Sequence, residues 1–458
     1  MVQISRNRRD PRERGGCRLI SVLFSFVVIV LCLAVMDHIS NSMSQETTMY
    51  SLLTTEFPEY SASLPKEGAA ADRLKTDTII SGTATKPKVE AADAAAISSS
   101  ERVKSHTLPE ACTPPQMEQI NMQLSPEKCI NEQRKPYLQE CSFTQASKCP
   151  DAIWLTDFHK KHQGLKHPFL SFFVGCNKAI DAVNTLRMGS KDPKFDVQKW
   201  AAILTHGGKD YSGSSCGNLN NDGSLSKDLE VDISDQAAQP GAQVYCFEPV
   251  VATFQELKRT KDTIGWGDEL VLERAALSNE PGVIHVPTMG VALGKENFQI
   301  NSERQICETP AAQKSNQCLS IPVYTIDNYM TSIGADSRPI HYLSIDVEGY
   351  DFNVIKGAQK TLERVHYLEF EYNWVGPWAK QHLADAIDLF KSKDFVCYFP
   401  GINGNIWRIT DCWQEFYAIH SWANVACVNY KIPEAAPLAE QMEMMFLKTL
   451  ERKDVRYG

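Results

Sequence analysis

The chain has 458 residues, of which 43% are hydrophobic and 22% charged; these ordinary proportions exclude a wholly disordered or fibrous protein and leave room for more than one domain. A formal net charge of −9 argues against a duplex nucleic-acid binder, which would present a basic face, so no nucleic acid is expected among its partners. Residues 1–18 hold Arg6, Arg8, Arg9, Arg12, Arg14 and Arg18 and read as a basic cytosolic tail. An apolar run follows at residues 19–36; as a helix it would rise about 27 Å, close to the hydrocarbon thickness of a bilayer. The arginines precede the run, so the remainder should cross the membrane. A cleaved signal peptide would have a shorter apolar core and a better small-residue site than Ala34-Val35-Met36. The expectation is a single-pass type II signal anchor, a transmembrane helix that places the rest of the chain in the lumen of the Golgi or endoplasmic reticulum.

Residues 37–108 are rich in Ala, Ser, Thr and Lys and read as a disordered stem, too poor in apolar surface to offset the entropy of ordering. The chain has 14 cysteines; Cys17 and Cys32 belong to the membrane end, and the remaining twelve suit disulfide bonds in an oxidising compartment. Cys112, Cys129, Cys141 and Cys149 crowd residues 109–152, which read as a small Cys-rich cap segment of undeducible connectivity.

From residue 153 short apolar runs alternate with helical stretches. Strands are predicted at 169–174, 243–247, 270–276, 283–286, 320–324, 340–345 and 367–370, and helices at 179–188, 251–260 and 352–364. Such alternation implies a mainly parallel sheet with helices on both faces, an α/β domain over 153–432. Residues 395–399 and 405–409 read as a terminal hairpin, and a helix over about 436–452 sits in the closing segment 433–458. The stretch 207–241 is long for a connection within a domain and reads as an insertion or a lid.

Three strand ends carry the chemistry. Gly175-Cys176-Asn177 follows a buried strand, where small residues let the backbone approach a ligand; alone it reads more readily as an ordinary strand-to-helix turn. Glu248-Pro249 ends the next strand, and a carboxylate there can hold a ribose diol or simply cap a helix. Asp346 and Glu348 lie two apart where another strand runs out; burying both is costly unless they bind something, which favours a functional reading.

Asp346-Val347-Glu348-Gly349, Val354-Ile355-Lys356-Gly357-Ala358 and Glu369-Phe370-Glu371 resemble the signature of FkbM-type methyltransferases. Phe247-Glu248-Pro249, Ala275-Ala276-Leu277-Ser278 and Tyr324-Thr325-Ile326-Asp327 are similar to further motifs of that family, and the resemblance spans about 169–374. It implies a Rossmann-like methyltransferase sheet and S-adenosylmethionine as donor for O-methylation of a hydroxyl on a glycan or other small molecule of the secretory pathway. On that resemblance Gly175, Cys176 and Asn177 line the donor, Glu248, Pro249 and Asp346 complete its site, Asp346 and Glu348 are catalytic, and Glu371 contacts the acceptor or supports its site; Trp374 and Trp378, which follow the same strand end, are the aromatics best placed to stack on a sugar acceptor. Phe173 stands where the family's first motif has Asp, and Ala179 replaces a later glycine.

Methyl transfer needs the hydroxyl held in line and a proton removed, which Asp346 or Glu348 would do as base. A divalent cation on the same pair is the alternative, with no dedicated metal site expected. His341 reads as structural, and His159, His162 and His167 as solvated. Two other functions share this plan: a membrane-anchored glycosyltransferase, for which no good Asp-x-Asp motif exists, and a non-catalytic binding protein on a degenerate methyltransferase fold.

Overall fold

The computed structural model describes residues 108–124, 130, 131, 139–161, 165–205, 216, 233, 237–288, 307, 313, 317–453 and 455. The expected basic tail, anchor and stem lie outside them, as does most of the expected insertion at 207–241. Among the described residues no helix is long and apolar enough to cross a membrane. All of the described residues fall in one unit, Ser99–Gly458.

Strands are numbered in chain order. β1 (Ile130–Asn131) and β2 (Gln139–Glu140) form a small antiparallel pair. Then come β3 (Leu170–Val174), β4 (Gln243–Phe247), β5 (Leu270–Glu273), β6 (Ala276–Leu277), β7 (Gly282–Pro287) and β8 (Cys318–Tyr324). The last are β9 (Ile340–Ile345), β10 (Val365–Tyr372), β11 (Phe395–Pro400), β12 (Ile406–Arg408) and β13 (Ala423–Asn429). Eight of them build the main sheet in the order β12-β11-β13-β10-β9-β3-β4-β5. From β5 through β10 the pairing is parallel, and β13 runs antiparallel to both β10 and β11. The chain moves outward from β3 to β5, then returns to β9 on the other side of β3. That reversal of strand order opens a crevice beyond the carboxyl ends of β3, β4 and β9, where open α/β sheets bind ligands.

Register assigns the two faces. Phe172 pairs with Tyr245 and with Leu343, and the rings of Tyr245 and Phe247 pack with Phe172 around Tyr329 of the helix Ile326–Ser332. Phe370 continues that face against Trp378 and Phe390 of the helix Leu383–Ser392. On the other face Phe173 meets Tyr342, Tyr342 meets Tyr367, and Trp154 of the helix Ile153–Lys161 donates to the Tyr367 hydroxyl. Both faces are therefore covered, which is why these strands read as near-continuous apolar runs.

The cysteine-bearing segment is fastened to the β12 edge. Cys112 is bonded to Cys412, and Arg408 Nη2 donates to the Glu110 carbonyl at 2.6 Å. Gln123, in the helix Pro114–Leu124, donates to the Thr449 carbonyl and accepts from Trp407 Nε1. The helix Ser142–Ser147 sets Phe143 against Phe399 of β11.

Four expectations change. The strand expected over 270–276 splits, and β6, β7 and β8 form a separate three-stranded sheet. The helix expected over 352–364 is Asp351–Lys356 followed by a 3-10 turn at Thr361–Arg364. The break falls at Gly357, where a Cβ would lie 2.1 Å from the Ser278 carbonyl oxygen, so the chain presses backbone on backbone there. The strand β13 and the helices Val197–Leu204 and Leu383–Ser392 were not anticipated. His159, expected to be solvated, is buried against Phe158 and Phe169, whereas His167 is exposed.

Candidate active site

The crevice begins at Gly175. Its φ is +85°, and a Cβ would sit 1.7 Å from the Asp346 carbonyl oxygen, so only glycine lets the turn after β3 lie on the end of β9. Asp346 N donates to the Val174 carbonyl at 2.9 Å, closing the contact from the other side. The amides of Gly175 and Cys176 both donate to the Phe247 carbonyl at 3.1 Å, tying the same turn to β4. Asn177 and Ala179 also take left-handed backbone, at φ 44° and 56°, before the helix Ile180–Ser190 starts. Ala179 thus occupies the kind of conformation that suits the family's glycine. Cys176, expected to line the donor, is bonded to Cys246 instead. The Oδ1 of Asn177 is buried without a partner.

Glu248 stands one residue beyond β4 and is 5% exposed. One carboxylate oxygen accepts from Asn177 N at 2.9 Å, the other from Val250 N at 2.8 Å. Burial pushes its pKa up to about 7, while those two backbone amides pull the other way. A carboxylate offers about four lone-pair sites, so two remain for hydroxyl donors, which fits a ribose diol. Pro249 lies just ahead of the helix Val251–Ile264, not at its first position.

Beyond β9, Asp346 is exposed at the strand tip and Glu348 is half-buried with φ 53°. Gly349 lies in the turn before the helix Asp351–Lys356 with φ 93°; a Cβ there would meet the Val375 carbonyl oxygen at 2.2 Å. Asp351 is fully buried, accepts from Gly349 N at 3.2 Å through Oδ2, and leaves Oδ1 unpartnered. Burial first, then the Asp346 charge, holds its carboxyl well above the usual range. Glu371 is pushed up in the same direction by burial and then by Asp346, Asp351 and Glu348. These four carboxyls form one electrostatic group, in which a cation is favoured and a proton is retained at the buried members.

Glu371 is held from three sides. Trp422 Nε1 and Asn373 Nδ2 donate to its carboxylate, and Trp378 Nε1 donates to its carbonyl at 2.9 Å. Trp378, a second candidate for stacking on an acceptor, is fully buried and stacks on Phe352, so it belongs to the core. Trp374 is half-buried in the turn after β10. Trp422 was missed as a site residue: antiparallel pairing of Tyr372 with Ala423 brings the residue before β13 to the end of β10. Lys148 Nζ lies 4.8 Å from the centre of the Trp422 ring. The structure therefore brings Gly175, Asn177, Glu248 and Asp346 to one crevice, with Glu348 and Glu371 coupled to it through charge. His341 lies elsewhere, near the amino end of β9, accepting from Leu170 N through Nδ1. Among the described residues no group of three or more His, Cys, Asp or Glu is arranged to hold a metal ion.

Comparison with known proteins points the same way. The family described as methyltransferase FkbM domain matches residues 220–397. That span includes Glu248, Asp346, Glu348, Glu371 and Trp374 but begins after Gly175, Cys176 and Asn177. The 2-O-methyltransferase NoeI of Sinorhizobium fredii (strain NBRC 101917 / NGR234) is 26% identical over 174 residues, covering 37% of this chain and 70% of that protein. No solved structure matches the chain.

Proposed function

Because residues 220–397 carry an FkbM methyltransferase domain, we propose that the chain is an S-adenosylmethionine-dependent O-methyltransferase acting on a hydroxyl of a glycan or another secretory-pathway compound. The observation behind this reading is the meeting of the turns after β3, β4 and β9 at Gly175, Glu248 and Asp346. When bound, the donor supplies an electrophilic methyl on a positively charged sulfur. Gly175 and Asn177 would border it, and Glu248 would accept from its ribose hydroxyls. The carboxyls of Asp346 and Glu348, outside the buried protonated pair, would favour its positive charge.

Asp346, exposed at the tip of β9, would take the proton of the acceptor hydroxyl as general base, with Glu348 nearby in sequence. Glu371, fixed by Asn373 and Trp422, would orient the acceptor, and Trp374 would border it. The hydroxyl acceptor agrees with the name of the bacterial relative, a 2-O-methyltransferase. The disulfides favour an oxidising compartment, and the basic tail with its apolar run supports a type II anchor.

Thermal unfolding of the full chain tests the reading. S-adenosylmethionine and S-adenosylhomocysteine should raise Tm, and nucleotide sugars should not. Protection by a nucleotide sugar alone would move the assignment to a glycosyltransferase. One observation favours a second reading, a donor-binding protein without turnover: Phe173 is buried against Tyr342 and offers no carboxylate at the end of β3. Donor binding without methyl transfer to any of a panel of glycans would support it.

A further inference from the structure

The turn after β3 is built in an unfavourable conformation. Three of its five residues, Gly175, Asn177 and Ala179, have left-handed backbone, and two of those carry side chains. Non-glycine residues are uncommon in that region and persist there only where their surroundings over-determine them. β3 offers no help, since Phe173 and Val174 are apolar and buried. Besides a hydrogen bond from Trp200 Nε1 to the Lys178 carbonyl and the backbone contact of Gly175 with Asp346, the ties run to three consecutive residues of another strand end. The Cys246 sulfur is bonded to Cys176, the Phe247 carbonyl accepts two amides, and the Glu248 carboxylate accepts a third. The first of these ties is covalent. Cys176 and Cys246 are 8% and 0% exposed, so the bond is sealed from solvent and its contribution is geometric.

We infer that the Cys176–Cys246 disulfide is a positioning clamp for the methyl donor, holding residues 175–179 in their binding shape against β4 before the donor arrives. The inference rests on the proposed donor site. With the clamp removed, hydrogen bonds alone hold the left-handed residues, and only a fraction of molecules present the competent turn. Apparent affinity falls by that fraction, because Kd is divided by the competent population. If one molecule in ten remains competent, the donor Kd rises about ten-fold.

The test is calorimetric titration of the full chain with S-adenosylmethionine, comparing wild type, C176A/C246A and C112A/C412A. The clamp variant should bind about ten-fold more weakly, and its methyl transfer should recover at saturating donor with the acceptor KM unchanged. C112A/C412A, which removes the distant disulfide, should lose thermal stability and keep wild-type donor affinity. A folded C176A/C246A with unchanged donor affinity overturns the inference, whereas wild type that fails to bind overturns the donor site itself. Hydrogen exchange on donor-free wild type gives a second reading that needs no variant. The amides of Gly175, Cys176 and Asn177 should be as protected as those of β4, and fast exchange that slows only when donor binds contradicts a preset clamp.

Discussion

Burial raises the pKa of Glu248, and the sign of that shift sets how donor affinity should vary. Its ordinary pKa is 4.5, and burial in the fold raises it to about 7. Between those values the folded chain keeps a proton that the unfolded chain has released, so this group favours folding at low pH and loses that contribution as pH rises through 7. Ribose hydroxyls donate to the ionised carboxylate, so binding follows the opposite course. Donor affinity should climb as pH rises from 5.5 and level off above about 7, with Kd at pH 5.5 weaker by on the order of ten-fold. Calorimetry across that range checks it, and a flat profile would remove Glu248 from the donor site. Gly175, Glu248 and Asp346 were legible as strand ends because each closes an apolar run, and the fold brings those ends together. The sequence did not show that the Cys176 side chain is committed to Cys246, since pairing depends on which strands lie side by side. Trp422 was illegible for the same reason: it reaches Glu371 through an antiparallel pairing between distant stretches of chain.

Among the elements, several residues of the family-like motifs turn out to be scaffold. Thr325 caps the helix Ile326–Ser332 by accepting from Asn328 N at 3.0 Å. Asp327 accepts from Thr361 N at 2.8 Å, Thr361 Oγ1 at 2.7 Å and Lys360 N at 3.0 Å. Together with Gly357 against Ser278, these contacts lock the segment between β8 and β10 and so fix where β9 delivers Asp346. Asp327→Ala should lower unfolding free energy by about 2–3 kcal/mol, as partly buried donors lose a charged acceptor, and leave donor affinity within two-fold. Chemical denaturation and calorimetry on the same protein separate the two, and a selective loss of donor binding would place Asp327 in the site. Buried parallel strands were legible because both faces are covered and the runs are apolar throughout. β13 was not, since Asn424 and Asn429 cut its apolar run to the four residues 425–428. Asn424 Nδ2 donates to the Ser147 and Lys148 carbonyls and Asn429 Nδ2 to the Lys393 carbonyl, partners that only the fold supplies.

Over the whole molecule, the end of the sheet opposite the crevice is acid-sensitive. His341 and His366 pack with ring centres 4.7 Å apart, and burial drives their pKa values down to about 3 and about 4. His341 Nδ1 accepts from Leu170 N, which a proton on that atom would prevent. The unfolded chain takes up protons near the ordinary value of 6.5 and the folded chain does not. Their contribution is therefore complete above pH 6.5 and is lost progressively below it. At pH 5 each histidine should subtract on the order of 2 kcal/mol. Urea unfolding of wild type and of the His341→Phe, His366→Phe double variant at pH 7 and pH 5 checks this. The variant should be less stable at pH 7 yet lose less on acidification, and equal losses would contradict the assignment.

Three neighbouring strand ends are proposed to form one site for an adenosyl sulfonium donor. Calorimetric titration of the full chain with S-adenosylmethionine, repeated on Glu248→Ala, tests it most directly. Saturable one-to-one heat in wild type, abolished in a variant that still unfolds cooperatively, is the expected result. No heat in the wild-type protein, or full binding by Glu248→Ala, would contradict it.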